Sequence, residues 1–172
     1  DIQRPNMAHM AVKRSQYGRA RIEGVDASEA EAMDGVVAVF TADDLDVPGS
    51  LPVGWLLDSL RNVDHPILAG DKVRYQGDGI AIVVAEERYL AQDAVDAIDV
   101  DYERLDAVTD PGEALGSDGP DLHEDADGNR AFDWEIGDAD ATRDAIDAAA
   151  HVAEIELENQ LLIPNAMEPR AT

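Results

Sequence analysis

The stretch from Ile80 to Glu103 constrains the fold most, because three different residue periodicities follow one another there. Ile80–Ala85 is a continuous aliphatic run and the most strand-like segment of the chain. Over Glu86–Ile98, apolar residues recur at helical spacing, which predicts a helix with one buried face. That face comprises Leu90, Ala94, Val95 and Ile98. Residues 98–103 then alternate apolar and acidic side chains, as a half-buried strand does. We therefore expect a domain that combines strands and helices.

A strand–helix–strand unit is predicted upstream of this stretch. Ala20–Val25 and Val36–Phe40 are strand-like, and the second run is apolar enough to predict a buried strand. Between them, an acid three residues after Asp26 or after Ser28 is the capping signal of a short helix. Gly35 suits the left-handed position just after such a helix. The order strand, helix, strand favours an α/β arrangement.

The remaining elements follow from shorter patterns. They are a weak strand over 7–12, a helical turn begun by Thr41, a long loop over 46–70, a strand over 132–137, a helix over 139–150 with Asp138 as its cap, and a strand over 152–163. One face of that last strand is apolar and the other acidic. The apolar face comprises Ile155, Leu157, Leu161 and Ile163. Residues 110–128 are rich in Pro, Gly and Asp, which indicates a boundary between two parts of the chain.

The charge of the chain excludes two classes of partner. Asp and Glu number 38 against 13 Lys and Arg, which gives a net charge of −25. Nucleic acid and anionic membranes would therefore be repelled. At molar salt the Debye length falls to ~3 Å, so self-repulsion within such a chain is screened. The composition favours a halophilic, cytoplasmic protein, with an ordinary acidic protein as the alternative. No apolar run approaches the roughly 20 residues of a membrane span, and no signal peptide is visible.

Motifs for metal, phosphate or nucleophilic chemistry are incomplete in this sequence. The absence of cysteine excludes disulfides, iron–sulfur ligation and a cysteine nucleophile within these 172 residues. The histidines share no metal-ligand spacing; they are His9, His65, His123 and His151. Asp125–Asn129 resembles the start of a calcium loop, but Ile136 occupies the position of the bidentate glutamate, which favours a plain turn. Gly77–Gly79 precedes a strand rather than a helix, which favours a tight turn over a phosphate cradle.

One cationic cluster has two interpretations. Arg14, Arg19 and Arg21 lie close together in sequence around Tyr17. In so acidic a chain they could bind a carboxylate, a phosphate or an acidic partner. The alternative is that they pair with acids of the same chain, and the sequence favours this second interpretation.

Short segments spread in order over the whole chain share one family pattern. They are Pro5–Ser15, Tyr17–Ile22, Ala32–Asp44, His65–Ala69, Val73–Gly77, Ile82–Ala85, Ala91–Ala94, Val100–Glu103, Asn129, Gly137–Asp138 and Met167–Arg170. Together they resemble the large subunit of the molybdenum hydroxylases, the family of xanthine dehydrogenase, aldehyde oxidase and aerobic carbon monoxide dehydrogenase. Asn159–Glu168 suggests the carbon monoxide dehydrogenase type of large chain.

The resemblance implies an α+β fold and a division of the chain. Residues 1–109 would form an α/β hammerhead domain, 110–128 a linker, and 129–172 the first strand–helix–strand elements of the molybdenum-cofactor-binding region. The whole enzyme of this family hydroxylates a substrate carbon or oxidises carbon monoxide, with water as the oxygen source. Electrons leave a molybdenum–pterin cofactor through 2Fe-2S clusters to FAD, which partner subunits hold in this branch.

By the same resemblance, the chain is an N-terminal excerpt without catalytic residues. The pterin-binding segments, the active-site loop and the catalytic glutamate would lie beyond Thr172, so no catalytic, cofactor-binding or metal residue is assigned here. The excerpt is expected to be inactive, to hold no cofactor, and to act as a scaffold for the rest of its subunit and for the flavin and iron–sulfur subunits. Self-association through 150–163 is a further expectation. The substrate, whether carbon monoxide, an aldehyde or a purine, stays open. The alternative function is a stand-alone acidic interaction domain without enzymatic activity.

Overall fold

The structure of the chain is a computed structural model that describes residues 4–45, 50, 51, 54, 56–116 and 119–157. They fall into two compact units, Arg4–Asp133 and a second that begins at Trp134. The strands are β1 His9–Arg14, β2 Ala20–Asp26, β3 Val36–Thr41, β4 Lys72–Val73, β5 Gly79–Ala85 and β6 Asp99–Arg104. The helices are α1 Ser28–Glu31, α2 Arg88–Ala97, α3 Pro111–Ala114 and α4 Ala139–Asp147, with 3-10 turns at Ala42–Asp44 and Asp127–Asn129.

Two three-stranded antiparallel sheets form the first unit. The first sheet has the strand order β1-β5-β3 and the second β4-β2-β6. The predicted strand–helix–strand unit is present as β2, α1 and β3, but its two strands lie in different sheets. It is therefore not a parallel crossover, and the two strands are joined by α1 and the turn at Gly35.

The helix α2 packs on one face of the first sheet. Ala81 and Val83 of β5 and Ala94 and Val95 of α2 are almost fully buried together with Ile98. The predicted apolar face of this helix is thus confirmed, with Ala91 as a further buried member that the sequence analysis did not include. The ammonium of Lys13 on β1 donates to the carbonyl oxygen of Val95 at 3.1 Å, where a cation complements the carboxyl end of the helix.

A second apolar cluster lies between the second sheet and the start of β5. It contains Ala20, Ala69, Val73 and Ile80, all of them buried. The rings of Tyr17 and Tyr102 meet beside it edge to face, with their centroids 5.1 Å apart. Tyr102 lies on β6, whose alternation of inner and outer side chains is the one the sequence predicts.

The short helix predicted here is present as α1, but its predicted capping by Asp26 or Ser28 is wrong. The residue before the helix is Ala27, no side chain caps the helix, and the Oδ1 of Asp26 instead accepts from the amide of Ser28 at 2.9 Å. The helix also ends at Glu31, earlier than predicted, so Gly35 does not follow it directly. Gly35 has a φ of +88°, the left-handed region, and a Cβ at this position would lie 2.7 Å from Cδ2 of Leu90. The amide and hydroxyl of Thr41 both donate to Oδ2 of Asp44, at 2.7 and 2.8 Å, which begins the predicted helical turn.

Three predicted strands differ from the structure. Val36–Phe40 is a strand but not a buried one, because β3 is an edge strand, with Val37 63% and Phe40 38% exposed. Residues 132–137 form no strand, because no neighbouring strand pairs with them among the described residues, and Ile136 is 81% exposed. Of the strand predicted over 152–163, residues 152–157 are not in a strand, and the rest lies outside the described residues.

The described part of the second unit is built around α4. Its predicted cap is confirmed, because Oδ1 of Asp138 accepts from the amide of Ala141 at 2.9 Å. The helix ends at Asp147, three residues earlier than predicted. No helix within the described ranges is both long and apolar enough to cross a membrane.

Candidate functional site

The turn at Gly77–Gly79 joins the end of β1 to the start of β5. The amide of Ser15 donates to the carbonyl of Asp78 at 2.8 Å, and the amide of Gly77 donates to the carbonyl of Ser15 at 2.9 Å. The carboxylate of Asp78 accepts from the amide of Arg74 at 3.1 Å. Gly77 has a φ of +97°. The amides of this turn are therefore used inside the protein, and the prediction of a tight turn rather than a phosphate cradle is confirmed.

The arginine cluster is bound internally as well. Arg14 donates to the carbonyl of Gly77 at 2.8 Å. Arg19 donates from its two terminal nitrogens to the carbonyls of Asp106 and Asp121, each at 3.0 Å. The third member, Arg21, lies 3.1 Å from Glu103 and 3.8 Å from Glu23. These contacts match the interpretation of internal pairing, although two of the three arginines use backbone carbonyls rather than carboxylates.

The side chain of Asn129 organises the segment that follows α3. Its Oδ1 accepts from the amide of Leu122 at 2.8 Å. Its Nδ2 donates to the carbonyls of Ala114 and Pro120, at 2.9 and 3.1 Å. Asn129 itself has a φ of +55°, a conformation that asparagine tolerates better than most residues. We call Asn129 and these three partners the Asn129 bracket. Sequence reasoning missed this role, since an asparagine beside a glycine indicated only a turn.

The calcium-like segment is part of this arrangement. Asp127–Asn129 forms a single 3-10 turn, and the amide of Gly128 donates to Oδ1 of Asp121 at 2.8 Å. No three His, Cys, Asp or Glu residues are grouped as a metal site within the part of the chain that the structure describes. The plain turn favoured by the sequence is what the structure shows.

Two histidines far apart in sequence share one region of the first unit. The ring of His65 stacks on that of Tyr75, with centroids 6.1 Å apart. Burial lowers the pKa of His123 below its ordinary value, and the charges of Arg74 and His65 lower this pKa further. Burial also raises the pKa of the Tyr75 phenol, as does the nearby Asp78 carboxylate. The region thus favours the neutral forms of the His123 ring and the Tyr75 phenol.

The surface of the described residues also has two depressions. A cleft of about 210 Å³ is lined by β2, the turn after β3 and Gly70; its ionisable residues are Glu23 and Asp43. A wider apolar groove of about 560 Å³ lies along α4, with Ala145 and Ile146 in its wall and His151 at its edge.

Residues 1–106 match the family described as the aldehyde oxidase and xanthine dehydrogenase a/b hammerhead domain. The chain belongs to this family. The match covers both sheets of the first unit and α2, so the α+β fold class and the hammerhead domain inferred from the sequence are confirmed.

The relatives of this chain are longer proteins, and the chain matches only a part of each. The carbon monoxide dehydrogenase large chain of Hydrogenophaga pseudoflava is 40% identical over 164 residues, which cover 88% of this chain and 20% of that protein. The nicotinate dehydrogenase large molybdopterin subunit of Eubacterium barkeri is 39% identical over 141 residues, covering 82% and 32%. The solved structure of reconstituted CO dehydrogenase from Oligotropha carboxidovorans superposes with a TM-score of 0.69 at 32% identity, covering 87% and 20%. The resemblance to molybdenum hydroxylase large subunits is thus confirmed.

Proposed function

We propose that this chain is the non-catalytic, N-terminal scaffold part of the large subunit of a molybdenum-dependent dehydrogenase. The observation that supports this proposal is the 40% identity to a carbon monoxide dehydrogenase large chain over 88% of this chain but only 20% of the relative. We place the domain limits at 1–109 for the hammerhead, 110–128 for the linker and 129–172 for the start of the cofactor-binding region. The alternative, a stand-alone acidic interaction domain, has no support among these relatives.

Among the residues that the structure describes, the candidate sites do not fit the cofactors of such an enzyme. A 2Fe-2S cluster needs thiolate ligands, and the chain has no cysteine. A pterin phosphate needs free backbone amides or cations, whereas Gly77 and the arginines Arg14, Arg19 and Arg21 are bound to groups of their own unit. In the proposed enzyme, segments of the subunit other than the hammerhead bind the molybdenum–pterin cofactor, and partner subunits bind FAD and the 2Fe-2S clusters. No step of the reaction is assigned to residues described here.

The proposed role of the hammerhead is to give those other segments a rigid surface on which to pack. Its two sheets and α2 form a buried aliphatic core, and the Asn129 bracket fixes the segment through which the chain continues. Carbon monoxide, an aldehyde and a purine stay open as substrates of the whole enzyme. From the net charge of −25 we propose a halophilic, cytoplasmic protein.

The proposed function is tested by comparing the 172-residue chain with the product of its complete reading frame, co-expressed with the neighbouring flavin and iron–sulfur genes. Metal analysis, absorption spectra and dye-linked oxidation of carbon monoxide, aldehydes and xanthine are measured on both. We expect molybdenum and one of these activities in the complex, and neither in the 172-residue chain. A stoichiometric molybdenum content or a flavin band in the short chain would contradict the proposal, as would a reading frame that adds no further residues.

A second part of the proposal concerns contacts between copies. In the described part of the region 150–163, Ile155 and Leu157 are 77% and 78% exposed. Exposed apolar segments favour association, so we propose that the isolated chain self-associates through 150–163. Light scattering of the chain and of a version truncated at Val108 tests this: the full chain should form dimers or larger species, and the truncated one should not. A strictly monomeric full chain at high concentration would contradict it.

A further inference from the structure

One face of the first sheet is apolar, and among the described residues neither core cluster packs against it, although the buried Leu68 lies near its end at Gly79. Side chains alternate across β1, β3 and β5, and those on the face toward α2 are buried, as Ala81 and Val83 show. The other face presents Met10, Val12, Ala38, Phe40, Ile82 and Val84. We call these six residues the open face. Among the described residues, none of the six belongs to an apolar core cluster or packs against one.

The strand register makes the open face continuous. Met10 of β1 is opposite Val84 of β5, and Ala38 of β3 is opposite Val84 on its other side. In the next row, Val12 and Phe40 flank Ile82 in the same way. Met10 is 65% exposed and Phe40 38% exposed, so the two edges of the patch are open to solvent.

The charge distribution shows that this face is not adapted to solvent. An antiparallel sheet with one wet face normally presents polar side chains there. Strands β1, β3 and β5 contain no Asp or Glu, although 38 of the 172 residues of the chain are acidic. The second sheet differs, because β2 and β6 contain Glu23, Asp26, Asp99, Asp101 and Glu103. An acid-free apolar surface on so acidic a protein is typical of a covered interface.

We propose that the open face docks onto an apolar, uncharged surface formed by the continuation of the same polypeptide. The inference rests on the proposed function, and the length of the relatives supports it, since this chain spans only 20% of the carbon monoxide dehydrogenase large chains it matches. A second copy is a poorer occupant of this face, because two copies of charge −25 repel each other and the self-association proposed above uses residues 150–163 instead. A segment of the same chain is held nearby at high effective concentration and adds no comparable encounter cost.

Single cysteines provide the test, because the chain has none of its own. Met10→Cys and Phe40→Cys place a thiol at either edge of the open face. Tyr89→Cys is the matched control, since Tyr89 is 82% exposed on α2, which packs on the opposite face of the sheet. Each variant is made in the 172-residue chain and in the product of the complete reading frame. Circular dichroism confirms folding, and maleimide labelling is followed by peptide mass spectrometry, so that other thiols of the longer protein do not interfere.

In the 172-residue chain we expect all three thiols to react at similar rates. In the longer subunit, the thiols at 10 and 40 should react at least about tenfold more slowly, because labelling then requires the interface to open. The control at 89 should be unchanged. Using both edge positions keeps the test valid if one variant fails to fold.

Four outcomes would overturn the proposal. Thiols at 10 and 40 that stay as reactive as the one at 89 in an active molybdenum-containing subunit would show that the face is not the docking surface, while the proposed function would stand. Protection in the 172-residue chain that grows with protein concentration would identify a second copy as the occupant. Protection independent of concentration in the monomeric 172-residue chain would identify a segment of this chain itself. A reading frame without a continuation would instead refute the proposed function, and the docking proposal with it.

Discussion

Replacing Asn129 by alanine should destabilise the first unit by about 3 kcal/mol, and the structure divides this into two terms. The first is the loss of the three hydrogen bonds of the Asn129 bracket, made with Leu122, Ala114 and Pro120. At a half-buried site each hydrogen bond contributes somewhat less than ~1 kcal/mol to the free energy of unfolding, so the three bonds together contribute about 2 kcal/mol. The second is the φ of +55°, which costs alanine about 1 kcal/mol more than asparagine.

Two further variants separate these terms. Asn129→Gly loses the hydrogen bonds but adopts a positive φ freely, so it should cost about 2 kcal/mol. Asn6→Ala is the matched control for backbone strain, because Asn6 is exposed and has a φ of +59°; it should cost about 1 kcal/mol.

The free energy of unfolding is measured by urea titration at fixed molar salt, with circular dichroism as the probe. Hydrogen exchange of the amides of residues 119–133 is followed on the same samples, because this segment should lose protection first. If Asn129→Ala costs no more than Asn6→Ala, and residues 119–133 exchange as in the wild type, the bracket does not hold the segment. The region would then be a loose tether.

Three further predictions concern pH, a glycine and salt. Burial and the Arg74 charge lower the pKa of His123 in the folded state below its ordinary 6.5, so the free energy of unfolding should fall as the pH drops through 6.5 toward the lowered pKa. His123→Gln should flatten this pH dependence in urea titrations at pH 5.5–7.5. An unchanged dependence would refute the assignment to His123. Gly35→Ala should destabilise by about 1–2 kcal/mol because of its positive φ, whereas Gly24→Ala, with no atom within 4 Å of its new Cβ, should be close to neutral; equal melting temperatures would contradict this. The ion pairs of the described residues engage Arg21, Arg130 and Arg143 and leave a large excess of acids unpaired with arginine. The melting temperature should therefore rise from dilute buffer to molar KCl, and a flat or falling curve would show that the acids are paired locally.

The sequence alone predicted the elements whose signals are local. Strand alternation and helical spacing repeat within a few residues, so β2, β5, α2 and β6 could be located directly. The Asp138 cap was equally visible, because it depends on a contact three residues away, and the turn at Gly77 was visible from its glycines. The family resemblance followed from the order of several such segments and is confirmed over residues 1–106.

The predictions were wrong where the structure of a segment depends on a neighbouring strand that the local sequence does not identify. The apolar run of β3 predicts burial, but the sheet order makes it an edge strand with one face open. Residues 132–137 alternate like a strand, yet a strand needs the backbone of another strand beside it, and the described residues supply none. Whether an alternating segment becomes a strand is therefore decided by long-range pairing.

What the sequence by itself determined is most of the elements, the family and a net charge of −25. Only the tertiary structure decided how those elements are used. It showed that Arg19 holds carbonyls 87 and 102 residues away and that Asn129 binds groups up to 15 residues away. It also showed that the six apolar residues of the open face lie side by side and form one continuous surface. The physical reason is that periodicity is a property of neighbouring residues, whereas hydrogen-bond partners and the covering of a face depend on which distant segments the folded chain brings together.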